Sequence, residues 1–209
     1  MNITILGAGN IGGSLARAWA AAGHMLILGV RDPSKPEVQA LVAEQPGQIS
    51  ASSAAEAAAQ SAVIVLAVPG GAAVALVESL GSTLAGKIVV DATNNVRGPG
   101  PLSAVPAIQQ HAPSALAYRA FNSVGWENIH APRYGRLQSD LVFCGPDGPP
   151  RETVADLIAA IGFRPVYVGD ESQLAVVDNL LWLWFALVRG QGYGRRVAFK
   201  ILTEQDEAA

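Results

Sequence analysis

Short apolar runs alternate with longer stretches of helical spacing along most of the chain. NITIL (2–6), MLILGV (25–30), AVIVLAV (62–68), KIVVDA (87–92) and SALAYRAF (114–121) are rich in Val, Ile and Leu without strict alternation. That is the pattern of strands buried on both faces. Between them, NIGGSLARAWAAAG, SKPEVQALVAEQ, SAAEAAAQ and GGAAVALVESLGSTL are alanine-rich, with apolar residues at helical intervals, which predicts repeated β-α-β units. The expected fold is α/β: a Rossmann-like, doubly wound, mainly parallel sheet with a short helical C-terminal segment. DLVFCG (140–145) and RPVYVGD (164–170) read as two more strands extending the same sheet. Between them PPRETVADLIAAIG reads as a helix opened by prolines and closed by Gly162. Residues 1–170 are expected to form the sheet domain. Residues 171–209 form a C-terminal segment, with a helix over roughly 171–188 followed by three glycines and a short amphipathic piece.

Composition narrows the function classes. A formal net charge of -3 over 209 residues gives no electrostatic reason to expect a nucleic acid or an anionic membrane as partner. The longest apolar run, LAVVDNLLWLWFALV (174–188), carries Asp178 and Asn179 and is shorter than the roughly 20 residues a membrane span needs. One cysteine, Cys144, excludes an internal disulfide framework, and MNITILGAG enters a strand without a charged-then-apolar leader, so a cytoplasmic location is expected.

Directly after the first apolar run comes GAGNIGGSLA, in which Gly7, Gly9 and Gly12 make G-x-G-x-x-G at a strand-to-helix turn. The first glycine permits a tight turn, the second lets backbone approach a pyrophosphate, and the third allows close helix packing. The helix beginning at Asn10 and Ile11 offers free N–H groups and the positive end of its dipole to phosphate. A dinucleotide is the ligand this context predicts, against a purely steric turn.

The cofactor's identity is read about 20 residues on, where an acidic side chain would bond a ribose 2'-hydroxyl. Gly29 and Val30 stand there, followed by Arg31, with Lys35 one helical turn later. A guanidinium and an ammonium suit a 2'-phosphate, so NADP(H) is expected. Two other readings stay open: Arg31 and Lys35 as solvated charges with Asp32 as their local partner or a cap, and Asp32 as the ribose acceptor of NAD.

Ligands of open α/β sheets gather at the carboxyl ends of strands. Ala67, Val68 and Pro69 end one predicted strand, and Asn94 and Asn95 in DATNN end the next. Pro69 shapes the wall beside pyrophosphate and ribose, and the asparagines offer neutral donors and acceptors or serve as turn residues. In AFNSVGWENI (120–129), Ala120, Asn122 and Ser123 would face the nicotinamide half, or form a capped turn into a short helix. No catalytic set is legible around the three histidines, His24, His111 and His130, and no metal-ligand cluster. His130, following AFNSVGWENI, joins Asn122 as a candidate near the nicotinamide. In the late helix, Leu181, Trp182, Phe185 and Val188 project as one apolar stripe, expected in a core or dimer contact.

With these motifs in place the chain resembles the NADPH-dependent reductases of the deazaflavin coenzyme F420, a family related to the NADPH-flavin domain of STEAP-type metalloreductases. The carrying motifs are ILGAGNIGGSLA, GVRDPSK, LAVP, GKIVVDATNN, RAFNSVGWENI, LVFCGPD and LWFALVRGQGYGRRVAFKIL. The resemblance implies hydride transfer between NADP(H) and a flat ring, either F420 or a flavin such as FMN or FAD. It also implies a homodimer, with NADP along the glycine loop, Arg31 and Lys35 at the 2'-phosphate, and the second substrate in a cleft bordered by the C-terminal segment. Val30 departs from the hydroxyl residue common in the family, and Asn95 from its usual proline. Other readings are a C=N or C=O reductase of the pyrroline-carboxylate or hydroxyacid type, which typically carries a longer helical C-terminal domain, and a non-catalytic NAD(P) sensor. Hydride transfer needs approach and alignment more than a side-chain acid, in keeping with the missing catalytic set.

Overall fold

The computed structural model describes residues 1–204; the last five residues of the expected C-terminal segment lie outside them. In chain order the elements are β1 (Asn2–Leu6), α1 (Asn10–Ala21), β2 (Met25–Val30), α2 (Pro36–Glu44), β3 (Ile49–Ser53), α3 (Ala54–Gln60), β4 (Val63–Leu66) and α4 (Gly70–Leu80). They continue with β5 (Ile88–Asp91), α5 (Val105–His111), β6 (Leu116–Arg119), α6 (Trp126–His130), β7 (Arg133–Tyr134), β8 (Leu137–Gln138), β9 (Asp140–Phe143), α7 (Pro149–Ala160), β10 (Arg164–Tyr167) and α8 (Leu174–Phe185).

Six strands form one parallel sheet in the order β3-β2-β1-β4-β5-β6. The order reverses between β1 and β4, and at such a switch point diverging connections leave a crevice above the strand ends. β1 and β4 are buried along nearly their whole length, with β1 in register with β2 and β4 on its two sides. Thr4, a polar residue inside this layer, is satisfied by the Ala57 carbonyl at 2.7 Å and the Ser61 hydroxyl at 2.9 Å. α1 covers one face with Leu15, Ala16, Trp19 and Ala20. The fully buried Trp19 donates from Nε1 to the Leu157 carbonyl of α7 at 2.8 Å, which fastens the late helix to the first.

Three features differ from the sequence expectation. β3 is a strand that the apolar pattern does not announce: ISASS holds a single large apolar residue, and only Ile49 is buried. It is the edge of the sheet, where one side has no strand to pack against. Its last residue, Ser53, starts α3 through a reciprocal capping box with Glu56, so strand and helix share a boundary.

β9 and β10 do not extend the main sheet. They pair parallel to each other, with Asp140 opposite Arg164 and Phe143 opposite Tyr167. The pair touches the main sheet through one antiparallel bridge, Arg119 to Cys144. At Gly145, φ is 149°, and a Cβ there would lie 2.4 Å from the Tyr118 ring. The chain therefore turns over that ring instead of continuing a ladder along β6.

The C-terminal helix is also rotated relative to the predicted stripe. Val177, Leu181 and Trp184 face inward, whereas Trp182 is 49% and Leu183 47% exposed. Trp184 is fixed because its Nε1 donates to the Val197 carbonyl at 3.2 Å. A π-helical turn, Ala186–Gly190, follows α8, and the glycine-punctuated chain beyond it contains no helix up to Thr203. It runs along α6, where Asn128 Nδ2 donates to the Val197 carbonyl at 3.0 Å and Arg195 pairs with Glu127.

Candidate functional site

A cleft of 360 Å³ opens at the switch point. Its floor is the glycine turn, and each glycine has a distinct steric reason. Gly7 has φ 107°, and a Cβ on it would meet the Ala67 carbonyl oxygen at 2.6 Å; a Cβ on Gly12 would meet the Gly7 oxygen at 2.0 Å. Those two positions close the turn against β4 and α1. A Cβ on Gly9 would meet nothing within 4 Å, so this glycine keeps the backbone open toward the cleft. α1 starts at Asn10 with no side-chain cap and no acidic residue in its first turn. The N–H groups of that turn, from Asn10 through Gly12, are left for a ligand. These features fit a pyrophosphate.

The far end of the cleft is lined by Gly29, Val30, Arg31, Asp32 and Lys35. Gly29 is obligatory for packing, since a Cβ would sit 2.4 Å from Leu6 and 3.2 Å from the backbone of Ala54. Asp32 is turned to its own loop: its Oδ1 accepts from the Ser34 N–H at 3.0 Å and the Ser34 hydroxyl at 2.6 Å. Those bonds from Ser34, with Lys35 nearby, hold its carboxyl below the usual carboxylate range. Arg31 and Lys35 are exposed, and among the described residues their side chains make no hydrogen bond or ion pair. Asp32 is thus engaged, while Arg31, Lys35 and Glu37, the other charged residues of the lining, make no side-chain hydrogen bond or ion pair among the described residues.

Ala67, Val68 and Pro69 form the wall contributed by β4. Asn94 and Asn95 border a second cleft that shares Pro69 with the first. Their side chains are spent within the protein. Asn94 Nδ2 donates to the Asn122 carbonyl at 2.8 Å, and Asn95 Nδ2 to the Pro99 carbonyl at 2.9 Å.

Ala120, Asn122 and Ser123 are buried just past β6. The chain is bent there by Phe121, the one non-glycine among the described residues with positive φ, 61°, and its ring packs edge-on to Trp19 at 5.6 Å. A left-handed conformation at a bulky residue persists only where packing fixes it, and such residues cluster at functional sites. Asn122 Nδ2 donates to the Val177 carbonyl at 3.1 Å, while its Oδ1 is buried without a hydrogen-bond partner. The structure does not bring His130 to either cleft: it ends α6 and meets the Ser14 hydroxyl of α1 at 3.0 Å.

Sequence reasoning missed the residues that position this end of the sheet. Arg119 is completely buried. Its Nε donates to Asp178 at 2.8 Å, its Nη1 to Asp91 Oδ2 at 3.0 Å and the Thr93 carbonyl at 2.5 Å, and its Nη2 to Asn94 Oδ1 at 2.9 Å. Asp91 also accepts from the Thr93 N–H at 2.9 Å and the Ala104 N–H at 2.7 Å. One guanidinium therefore fixes the DATN turn and ties it to α8. Burial pushes the Asp178 carboxyl above its usual range against the pull of Arg119. The available signal was one charge in each of two otherwise apolar runs, SALAYRAF and LAVVDNLLW, opposite in sign.

Residues 2–95 match the family model described as NADP oxidoreductase, coenzyme F420-dependent. The chain is 29% identical over 186 residues to the metalloreductase STEAP3 of Rattus norvegicus, covering 85% of this chain and 36% of that protein. It thus spans about a third of the length of this relative. Among solved structures it is similar to a candidate F420-dependent NADP-reductase of Arthrobacter sp. FB24, with a TM-score of 0.82, 27% identity, and coverage of 96% of this chain and 99% of that one. An imine reductase of Streptomyces aurantiacus shares the fold, with a TM-score of 0.68 and 19% identity, covering 90% of this chain and 63% of that one. The glycine turn and the cations Arg31 and Lys35 fall within residues 2–95, the part of the chain that is similar to the coenzyme F420-dependent NADP oxidoreductases.

Proposed function

We propose that the protein is an NADP-dependent oxidoreductase that moves a hydride between NADP(H) and a deazaflavin or flavin-type acceptor. The observation that carries the cofactor reading is the far end of the cleft, where the side chains of Arg31 and Lys35 make no hydrogen bond or ion pair among the described residues while Asp32 is bonded by Ser34. In this reading the turn from Gly7 to Gly12, with Asn10 and Ile11, holds the pyrophosphate on backbone N–H groups. Arg31 and Lys35 hold the 2'-phosphate. Ala67, Val68 and Pro69 wall the ribose, with Asn94 and Asn95 beside them. Ala120 and Asn122, buried just past β6 and outside both cleft linings, support the nicotinamide end from behind. The bound dinucleotide supplies the hydride at its nicotinamide C4. The chain's part is to bind and align. Burial pushes the Cys144 thiol up to about 11, which leaves it protonated and without nucleophilic function.

The acceptor class rests on the F420-dependent family description and on likeness to a metalloreductase. The C=N or C=O reductase reading is less well supported, because the imine reductase is only 19% identical to the chain and shows the shared fold alone. Mixing the protein with NADPH and either F420, FMN or FAD, and following nicotinamide absorbance, tests the function. Oxidation with at least one ring acceptor is expected. Tight NADPH binding without oxidation by any of them would favour the sensor reading instead.

We further propose a cytoplasmic homodimer whose contact is made by the C-terminal segment. No helix among the described residues is long and apolar enough to cross a membrane, and the lone thiol is buried. The outward face of α8 presents Val176, Trp182 and Leu183, each 47–49% exposed, an apolar patch that calls for a partner. Trp182→Arg is expected to convert a dimer to a monomer in a size measurement. An unchanged dimer would place the contact elsewhere.

A further inference from the structure

The second cleft carries one cation, Arg97, and no carboxylate. It encloses 460 Å³ between Pro69, Gly70 and Gly71 at the head of α4 and the loop from Asn94 to Gly98. The loop is closely built. A Cβ on Gly70 would meet the backbone of Asn94 and Asn95 at 2.4 Å. Asn95 spans its own loop: its Oδ1 accepts from the Gly98 N–H at 3.1 Å, its Nδ2 donates to the Pro99 and Pro101 carbonyls at 2.9 and 3.4 Å, and its backbone N–H donates to Leu102 at 2.9 Å.

With Asn95 turned inward, the side chain left at the rim is Arg97. It is exposed, and among the described residues it makes no hydrogen bond or ion pair. No carboxylate lines this cleft, so nothing in its wall neutralises the guanidinium. The cofactor cleft has its own cations, Arg31 and Lys35, in the loop after β2, whereas Pro69 follows β4 on the other side of β1. The two basic positions are therefore assigned to different molecules: one to the cofactor's ribose phosphate, the other to a group entering beside Pro69.

We infer that Arg97 is a specificity-determining residue that binds a phosphate or carboxylate on the tail of the ring substrate. Planar, bidentate recognition of such a group is what a guanidinium supplies. The inference rests on the proposed flavin-type acceptor, and its test separates the two ideas. FMN and riboflavin share a ring system and differ by one phosphate. Each is titrated into protein saturated with NADP+, and binding is followed by flavin fluorescence. FMN is expected to bind about tenfold more tightly than riboflavin. Arg97→Gln is expected to erase that difference while leaving riboflavin and NADP+ affinities unchanged, and Arg97→Lys to restore part of it. Equal affinity for the two flavins in the native protein, or binding of neither, overturns the assignment. A fall in NADP+ affinity in Arg97→Gln overturns it too, because the anion would then be the cofactor's pyrophosphate. Turnover is read separately: phosphate-selective flavin binding without NADPH oxidation would sink the hydride-transfer reading and leave this one standing.

Discussion

Arg119→Met is expected to lower unfolding stability by about 3–5 kcal/mol, the cost of breaking a buried ion pair from one side. The substitution keeps much of the volume and removes the charge. Asp91 retains its bonds from Thr93 and Ala104, but Asp178 loses the guanidinium at 2.8 Å that opposes its burial. Asp178 already sits above the usual carboxylate range because of burial, and loss of Arg119 raises it further. An acid raised in the folded state adds stability at low pH and loses it as pH rises through the folded value. The deficit of Arg119→Met is therefore larger at neutral pH than in mild acid. Denaturant titration at both pH values checks this, with the midpoint moving and the slope unchanged. A loss below about 1 kcal/mol, the range of solvent-exposed pairs, would mean that the guanidinium is not the tie between the DATN turn and α8.

Much of the fold was legible because parallel strands buried on both faces are written as continuous apolar runs. β1, β2, β4, β5 and β6 all lie within the runs that announce them. β3 was hidden because an edge strand with one buried residue has no apolar run to show. The detachment of β9 and β10 was hidden for another reason: a strand's composition reports its burial and not its pairing partner, and β9 and β10 pair with each other.

The site shows the same division. Gly7, Gly9, Arg31 and Lys35 are read from spacing because backbone approach and charge are properties of residue type. They converge on one cleft with Ala67, Val68 and Pro69. The burdens carried by Asn94, Asn95 and Asp32 were not readable, since each spends its polar atoms on neighbours that only the folded loops provide. The Asp91–Arg119–Asp178 cluster joins residues far apart in sequence, so pairing its charges required the topology. Trp182 and Trp184 exchange roles relative to the predicted stripe because the carbonyl of Val197, which anchors Trp184, comes from a segment without regular periodicity.

The cofactor assignment rests on Arg31. It borders the cleft beside Val30, where no hydroxyl shares the load, and Lys35 is the other cation in the lining. A guanidinium bound to a phosphate contributes about 1.5–3 kcal/mol, so Arg31→Ala is expected to weaken NADPH by roughly ten- to a hundredfold. NADH, which has no 2'-phosphate, loses nothing by the change. Asp32 stays bonded to Ser34 in the variant and supplies no new ribose contact. The decisive measurement is a calorimetric titration of the native protein and Arg31→Ala with NADPH and with NADH. The account predicts that NADPH binds more tightly to the native protein and that the variant nearly abolishes this preference by loss of NADPH affinity alone. Equal losses for the two dinucleotides, or a native preference for NADH, would contradict it.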